Sequence, residues 1–487
     1  MGARGSLVLP PLPKRLPYCV LNVRAANKLT VLNADDQLLR VIRDNVDAIW
    51  NKHIEAKLSQ VYFEEEEKLG ANGVTIRLLG EPFSFESKNN EDCAVLRRLF
   101  CVIINELRFI GWHLILSSNL TKIHFSSSWF FEKKTFPTQS TTQNLPVFCV
   151  STHRSNRLQL IGAPPAVRAI VRELLSKQLI DESSPAGECQ FELYGTPWDY
   201  QHSKEMDVAC DESDLFLLSP NDDDCLRLFG APNGPVRAVR RALDSWPQGI
   251  SYCDRNQSNL VEFKLAGKPW NRDKLESALA KRIFVKILDN LSLIGWKVAG
   301  CLKATNRMQD TNLFIFERTT PRPCRHLCMM PSAKDKLKLI NAPTNLLRQI
   351  VEAVHTYYPF EIQLEGVHEE WSDYSIYVLV LRGQPWNGRQ KQFVLAAQTM
   401  MMCLLQTVCN FGWVPVASAD LSGKWNHEDR TRPVSVHNWF FACGSDQEAK
   451  APQLNGTLHM LREDEDEEGE SDEEPPSYEE VLAGEPD

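Results

Sequence analysis

The chain switches between two hydrophobic periodicities, in the same order and several times over. One pattern is a short apolar strand, a polar turn, a second strand with leucines at alternate positions, and then Ala-Pro ahead of helically spaced apolar residues. It reads Arg157-Leu-Gln-Leu-Ile-Gly-Ala-Pro164, Cys225-Leu-Arg-Leu-Phe-Gly-Ala-Pro232 and Lys336-Leu-Lys-Leu-Ile-Asn-Ala-Pro343. A weaker copy is Lys28-Leu-Thr-Val-Leu-Asn-Ala-Asp35. Period-two leucines followed by 3.6-period residues such as Val236, Val239, Ala242 and Leu243 predict a ββα unit. Proline suits the start of such a helix, because its φ is already set there and its missing N–H would be unpaired anyway.

A second pattern follows each copy of the first. It opens on a strand and a Gly-x-Pro-aromatic turn: Leu79-Gly-Glu-Pro-Phe83, Tyr194-Gly-Thr-Pro-Trp198, Ala266-Gly-Lys-Pro-Trp270 and Arg382-Gly-Gln-Pro-Trp386. In three copies a long amphipathic helix comes next and ends at Gly-Trp, at Gly111-Trp112, Gly295-Trp296 and Gly412-Trp413. Glycine just beyond a helix accepts the left-handed backbone that closes it. A last apolar strand ends the unit, as Trp129-Phe-Phe131, Leu313-Phe-Ile-Phe316 and Trp439-Phe-Phe441. The copy beginning near Phe191 has neither the helix nor the Gly-Trp, so it is expected to be degenerate.

The expected fold class is therefore α+β, with repeated ββα-type units whose short antiparallel sheets are covered by helices. The expected organisation is a proline-rich leader over 1–16 and repeat pairs over 17–147, 148–216 (degenerate), 217–320 and 321–446. An acidic tail over 447–487 follows. The recurring tryptophans are read as filling between helix and sheet rather than as ligand contacts.

Charge changes this picture only at the end of the chain. The protein has 487 residues and a net charge of -9, but Glu463 to Asp487 holds 14 acidic residues and no Lys or Arg. Without them the body carries 54 basic residues against 49 acidic ones, being 63 less those 14. A near-neutral body argues against nucleic acid as the main partner. From about Gln447 the aromatic and β-branched content collapses, which predicts a tail too polar to offset its ordering entropy.

No cofactor or metal is expected. The Cys324-Arg-His-Leu-Cys328 pair lacks a second pair at zinc-ligand spacing. The cysteines are scattered without a dense framework, several of them in apolar stretches (Cys101, Cys403 and Cys409), and they read as buried thiols of a reducing compartment. The apolar stretch from Phe393 to Trp413 carries Gln398, Thr399, Gln406 and Asn410, so a buried helix is expected there rather than a membrane span. No phosphate loop, nucleophile elbow or His-Glu-x-x-His helix is present, and the chain is expected not to be an enzyme. The alternative is an enzyme or small-ligand protein using the Ser418–Asp429 region. There Ser418, Asp420 and Ser422 are followed by His427, Glu428 and Asp429, so acid, base and hydroxyl lie close in sequence.

The sharper signals lie at the two ends. Met1-Gly2-Ala3-Arg4-Gly5-Ser6 fits the N-myristoylation pattern at Gly2. One acyl chain gives only marginal membrane binding, so any peripheral membrane contact would be weak or switchable. Leu9-Pro10-Pro11-Leu12-Pro13-Lys14-Arg15 resembles a class II SH3 ligand. A polyproline II turn of three residues puts Leu9-Pro10 and Leu12-Pro13 on one face, and Arg15 would meet an acidic pocket. In the tail, Pro475-Pro476-Ser477-Tyr478 resembles the Pro-Pro-x-Tyr motif bound by WW domains, notably those of HECT-type ubiquitin ligases. By that resemblance Pro475 and Pro476 stack in an aromatic groove and Tyr478 fills a second pocket. Ser471, followed by Asp-Glu-Glu, resembles a site for acidophilic kinases, and phosphate on Tyr478 would place about two negative charges in the Tyr pocket. The expectation is a cytoplasmic adaptor, with WW-domain and SH3-domain partners at its ends and an unidentified protein partner on its body.

Overall fold

The computed structural model describes residues 16–444 apart from 25–26, 56–66, 69–72, 84–89, 122–126, 135–145, 154–155, 185–187, 196–213, 222, 256–259, 271–274, 303–311, 372–373, 388–389 and 422–435. Four antiparallel sheets lie along the chain, one per repeat.

The first unit contains β1 (Tyr18–Arg24), β2 (Lys28–Leu32), α1 (Asp36–Asn45), α2 (Lys52–Glu55), β3 (Glu67–Lys68), β4 (Gly73–Arg77), α3 (Asn90–Phe109), β5 (Trp112–Ser118) and β6 (Ser127–Lys133). A wider π turn over Val46–Asn51 joins α1 to α2. The sheet order is β3-β4-β2-β1-β6-β5. The second unit is smaller, with β7 (Cys149–His153), β8 (Arg157–Ile161), α4 (Pro165–Leu175), β9 (Leu179–Ser183) and β10 (Cys189–Leu193) in the order β7-β8-β10-β9.

The third unit comprises β11 (Leu215–Asn221), β12 (Cys225–Phe229), α5 (Asn233–Leu243), β13 (Ile250–Arg255), β14 (Leu260–Leu265), α6 (Leu275–Leu293), β15 (Trp296–Leu302) and β16 (Leu313–Arg318). The fourth comprises β17 (Cys324–Ser332), β18 (Lys336–Ile340), α7 (Thr344–Tyr357), β19 (Ile362–Trp371), β20 (Tyr374–Leu381), α8 (Lys391–Asn410), β21 (Val414–Ala419) and β22 (Asn438–Gly444). Both sheets repeat the six-strand order of the first.

Each strand–helix signal acts as its chemistry requires. Pro164, Pro232 and Pro343 are the N-cap residues of α4, α5 and α7, in extended backbone just before the helix. The first unit has Asp35 in that place, and its carboxylate accepts the Leu38 amide at 2.8 Å. The aromatic of the Gly-x-Pro turn is core: Trp270 and Trp386 are fully buried, and Trp386 Nε1 donates to the Lys336 carbonyl at 2.9 Å. Gly383 of that turn has a φ of +90°, and a Cβ there would fall within 2.1 Å of the Phe393 ring at the start of α8. The tryptophans of the Gly-Trp pairs, Trp112, Trp296 and Trp413, are buried as well.

The units stack through their sheets, and not in chain order. Within a complete unit one sheet face holds the unit's own two helices, which pack side by side as α1 with α3, α5 with α6, and α7 with α8. The opposite face of a neighbouring sheet then receives the second of those helices. Thus α6 lies on β17 and β18 of the fourth unit, α8 on β1 of the first, and α3 on β7 and β8 of the second. The physical order is third, fourth, first, second.

Alternation along the strands serves both contacts. Cys19, Leu21, Leu29 and Val31 face their own α1 and α3, whereas Tyr18, Val20, Leu32 and Phe130 join the core around α8. In the fourth sheet Leu327, Met329, Leu337 and Leu339 face α7 and α8, while Cys328, Met330, Ile340 and Phe440 join the core around α6. Gln392–Asn410 is long and apolar enough to cross a membrane by length and composition, but 72% of its hydrophobic window is buried, and α8 lies in the core shared by the first and fourth units.

Candidate functional site

The long helices carry a matching polar residue where each meets the next sheet. Arg97, Lys281 and Gln398 all lie fourteen residues ahead of the glycine of their Gly-Trp pair. Arg97 Nη1 donates to Gln159 Oε1 on β8 at 3.0 Å. Gln398 is fully buried; its Oε1 accepts from Asn22 Nδ2 on β1 at 3.0 Å, and its Nε2 donates to Ser128 Oγ on β6 at 3.3 Å. Lys281 is also fully buried, and its Nζ donates to Ser277 Oγ at 2.8 Å. Burial drives the Cys328 thiol of β17 far upward in pKa, and the nearby Lys281 charge partly opposes that rise.

Arg97 and Gln398, whose partners lie on the neighbouring sheet, fix register, whereas Lys281 is bonded within its own helix. A purely apolar helix can slide on an apolar sheet, whereas a buried polar group must keep its partner. Replacing Gln398 by alanine strands Asn22 and Ser128, and should cost about 1–3 kcal/mol in a urea melt. The double change Gln398→Leu with Asn22→Leu should recover part of that loss, because Asn22 leaves with Gln398 and Ser128 alone stays stranded.

The second unit is built differently. Its own core of Leu160, Ala163, Cys189, Phe191 and Leu193 is separate from the three larger ones. No residue of α4 is buried. Leu174 stands eleven residues after the alanine of Ala-Pro, where the other units have Asn45, Ala242 and Ala353. Those three are buried, and Asn45 Nδ2 donates to Glu106 on α3, the second helix of its own unit. Leu174 is 77% exposed, Ile170 one turn earlier 56%, and Tyr194 beyond α4 63%. The face that meets the second helix elsewhere is bare on α4.

The remaining open face belongs to the third sheet, and it is finished with ion pairs. Arg227 Nε meets Glu262 at 2.6 Å, Lys297 meets Glu317 at 2.9 Å, and Lys264 meets Asp224 at 3.5 Å. A charged outer face is what keeps the last member of a stack soluble.

The residues singled out by sequence fall on both sides of the described region. Gly2, the Leu9–Arg15 segment, Ser471, Pro475, Pro476 and Tyr478 all lie outside the described residues. So do Ser422, His427, Glu428 and Asp429. Ser418 and Asp420 are described, at the end of β21. Ser418 Oγ lies 3.2 Å from His437 Nδ1, and the Asp420 amide donates to Asn312 Oδ1 at 2.7 Å. Ser418 faces Trp439 across the hairpin as Ser117 faces Trp129 in the first unit, where Ser117 Oγ meets Ser127 Oγ at 3.5 Å. The Ser–His contact thus occupies a hairpin-bracing position that another unit fills with two serines. Cys324 and Cys328 lie on one strand, and among the described residues no group of three His, Cys, Asp or Glu could hold a metal ion.

Sequence reasoning took Gln398 only as a polar break in an apolar stretch and passed over Arg97 and Lys281, although aligning the helices on Gly-Trp brings the three into one column. A single family model, of a domain, matches the chain four times, over residues 17–133, 146–210, 214–317 and 325–442.

The chain belongs to that domain family.

It carries four consecutive copies, and the shortest match falls on the unit in which α4 is the one helix among the described residues. No curated protein and no solved structure matches the chain.

Proposed function

We propose that the protein is a non-enzymatic intracellular adaptor, in which a stack of four family domains carries a WW-docking tail. The observation that carries this reading is Pro475-Pro476-Ser477-Tyr478, set in a segment otherwise dominated by Glu and Asp. Two prolines fit an aromatic groove in polyproline II form and the tyrosine fills the adjoining pocket. The ligand class this implies is the WW domain, with HECT-type ubiquitin ligases as the leading partners. At the other end, Leu9, Pro10, Leu12, Pro13 and Arg15 supply a ligand for SH3 domains, and Gly2 an acylation site for weak membrane contact. Ser471 and Tyr478 are the phosphorylation sites that would tune the tail.

The body supports the reading in one respect. Its long helices are spent on joining units through two shared apolar cores, which suits a scaffold that holds its two ends at a fixed separation. Joining modest motifs to one rigid body raises their effective concentration for a common assembly.

A peptide covering residues 470–487 should bind a panel of isolated WW domains, and Tyr478→Ala should weaken that binding by at least about ten-fold. In the full chain, Pro476→Ala with Tyr478→Ala should release the bound ligase. Unchanged binding by either variant would remove the tail from the proposal. The alternative, an enzyme acting near Ser418, is favoured by the Ser418–His437 contact alone. Labelling of Ser418 by a fluorophosphonate probe, abolished by His437→Ala, would support it over the adaptor.

A further inference from the structure

The first helices of the four units differ in one column. Ten residues after the alanine ahead of each helix stand Asp44, Glu173, Arg241 and Glu352, all exposed. The third unit thus carries a cation where the others carry a carboxylate. On α5, Arg241 joins Arg237 and Arg240, both exposed, and their i, i+3, i+4 spacing puts the three on one face. α5 itself contains no carboxylate, and none of the three arginines is in an ion pair among the described residues. A cation in the last helical turn suits the helix dipole. That does not account for this face, because Arg237 lies outside the last turn and the other units show that the fold needs no cation at Arg241. Around it, Asp244 is the C-cap of α5 and Asp254 lies on β13. The neighbouring α6 carries Arg282, Lys286 and Asp289, the last held by His326 Nδ1 at 2.8 Å.

The root of the acidic tail reaches this face through a short run of contacts. β22 ends at Gly444, where a Cβ would lie 2.9 Å from the Arg322 guanidinium. The Arg322 amide donates to the Ser292 carbonyl on α6 at 3.2 Å. Two residues earlier, Asn290 Nδ2 donates at 3.0 Å to the carbonyl of Ala238, the residue after Arg237. The chain therefore leaves the last sheet one helix away from the arginines. Residues 463–474 hold ten Asp and Glu and no Lys or Arg, and they begin 19 residues beyond Gly444, being 463 less 444. Nineteen residues span up to about 60 Å when extended, whereas packed helices lie only about 10 Å apart.

We propose that residues 463–474 dock in cis on the arginine face of α5 and hold the adjoining Pro475-Pro476-Ser477-Tyr478 against the body, out of reach of a WW domain. The docking stands on charge and reach; its bearing on WW binding rests on the adaptor reading. Each exposed ion pair contributes little by itself. A short tether, however, keeps the two partners at an effective concentration on the order of millimolar. The clasp is closed at low ionic strength and opened by salt, and a WW domain competes with it. Phosphate on Ser471 adds about two negative charges to the docking segment and so favours closure.

The test uses the full-length protein with isotope-labelled glycine, because Gly469 stands inside the acidic run. Its backbone nitrogen relaxation reports docking with no WW domain present. Transverse relaxation of Gly469 at low salt should be at least about two-fold faster in the wild-type protein than in Arg237→Glu/Arg240→Glu/Arg241→Glu. Raising NaCl to about 0.5 M should abolish the difference. Replacing the ten acids of residues 463–474 by Asn and Gln should abolish it too, and leaves the folded body unaltered. Arg40 and Arg348 occupy the column of Arg237 on α1 and α7, and Arg40→Glu with Arg348→Glu should leave Gly469 as in the wild type.

The affinity of the full chain for an isolated WW domain should rise at least about three-fold in the α5 variant. If the peptide of residues 470–487 binds no WW domain, the adaptor reading fails, while Gly469 still decides the clasp. Gly469 relaxation unmoved by the α5 changes or by loss of the acids overturns the clasp. Unchanged WW affinity in the α5 variant, with the peptide still binding, overturns the shielding of the motif. Slowing of Gly469 that grows with protein concentration would give the face to the tail of a second copy. An unslowed Gly469 with α5-dependent binding of a single-stranded oligonucleotide would give it to nucleic acid. Both results overturn docking in cis.

Discussion

Replacing Trp439 by alanine is expected to lower the unfolding free energy by about 3–5 kcal/mol, and to do so in two units at once. Trp439 is fully buried on β22 of the fourth unit, yet much of what it touches belongs to the first. Its ring meets Phe130 edge-on, with centroids 4.8 Å apart, and its Nε1 donates to Ser118 Oγ at 2.8 Å. Alanine therefore leaves a cavity between units and an unpartnered buried hydroxyl. Hydrogen exchange should rise in β5 and β6 as well as in β21 and β22, because one apolar core holds residues from both sheets. Trp439→Phe keeps most of the volume and loses the hydrogen bond, so about 1 kcal/mol is expected. A rise confined to β21 and β22 would show that the shared core does not unfold as one body.

The second large effect belongs to Gly295, at the end of α6. Its φ is +80°, and an added Cβ would lie 2.4 Å from the Thr319 carbonyl oxygen and 3.1 Å from Pro321. The two segments cannot simply part, because the Thr319 amide donates to the Gly295 carbonyl at 2.7 Å. Gly295→Ala combines left-handed strain with a backbone clash, and a loss of about 2–4 kcal/mol is expected. Gly249 gives the control, with a φ of +81° and nothing within 4 Å of its Cβ position. Gly249→Ala should cost about 1 kcal/mol, from strain alone. Thermal melts of both variants separate the two causes, and equal losses would remove the clash from the account.

The repeat itself was legible, because the units announce their strands by period-two leucines and three of them their long helix ends by Gly-Trp. The stacking order was not, since it joins residues as far apart as Asn22 and Gln398. A partial trace of it is nonetheless written in the strands. β14 reads Leu-Val-Glu-Phe-Lys-Leu, alternating as a sheet covered on one side does, and the third sheet has one bare face. β22 reads Asn-Trp-Phe-Phe-Ala-Cys-Gly without alternation, and its burial is nearly continuous because α6 and α8 cover opposite faces. Unbroken apolar runs thus mark the sandwiched sheets, though not which helix lies on them. That the second unit departs from the others was visible as an absent Gly-Trp. Its consequence, Leu174 standing where Ala242 and Ala353 are buried, needed the fold.

The out-of-order stacking also bears on how the protein is made. The first unit leaves the ribosome early, but the helix that covers its outer face, α8, does not emerge until Asn410 has been added. At about 5–20 residues per second, Tyr18, Val20, Leu32 and Phe130 stay uncovered for tens of seconds of synthesis. A truncated product ending before α8 would carry that sticky surface permanently. Nascent chains should therefore recruit holdase chaperones to their first unit, and premature termination should yield aggregates rather than shorter soluble stacks.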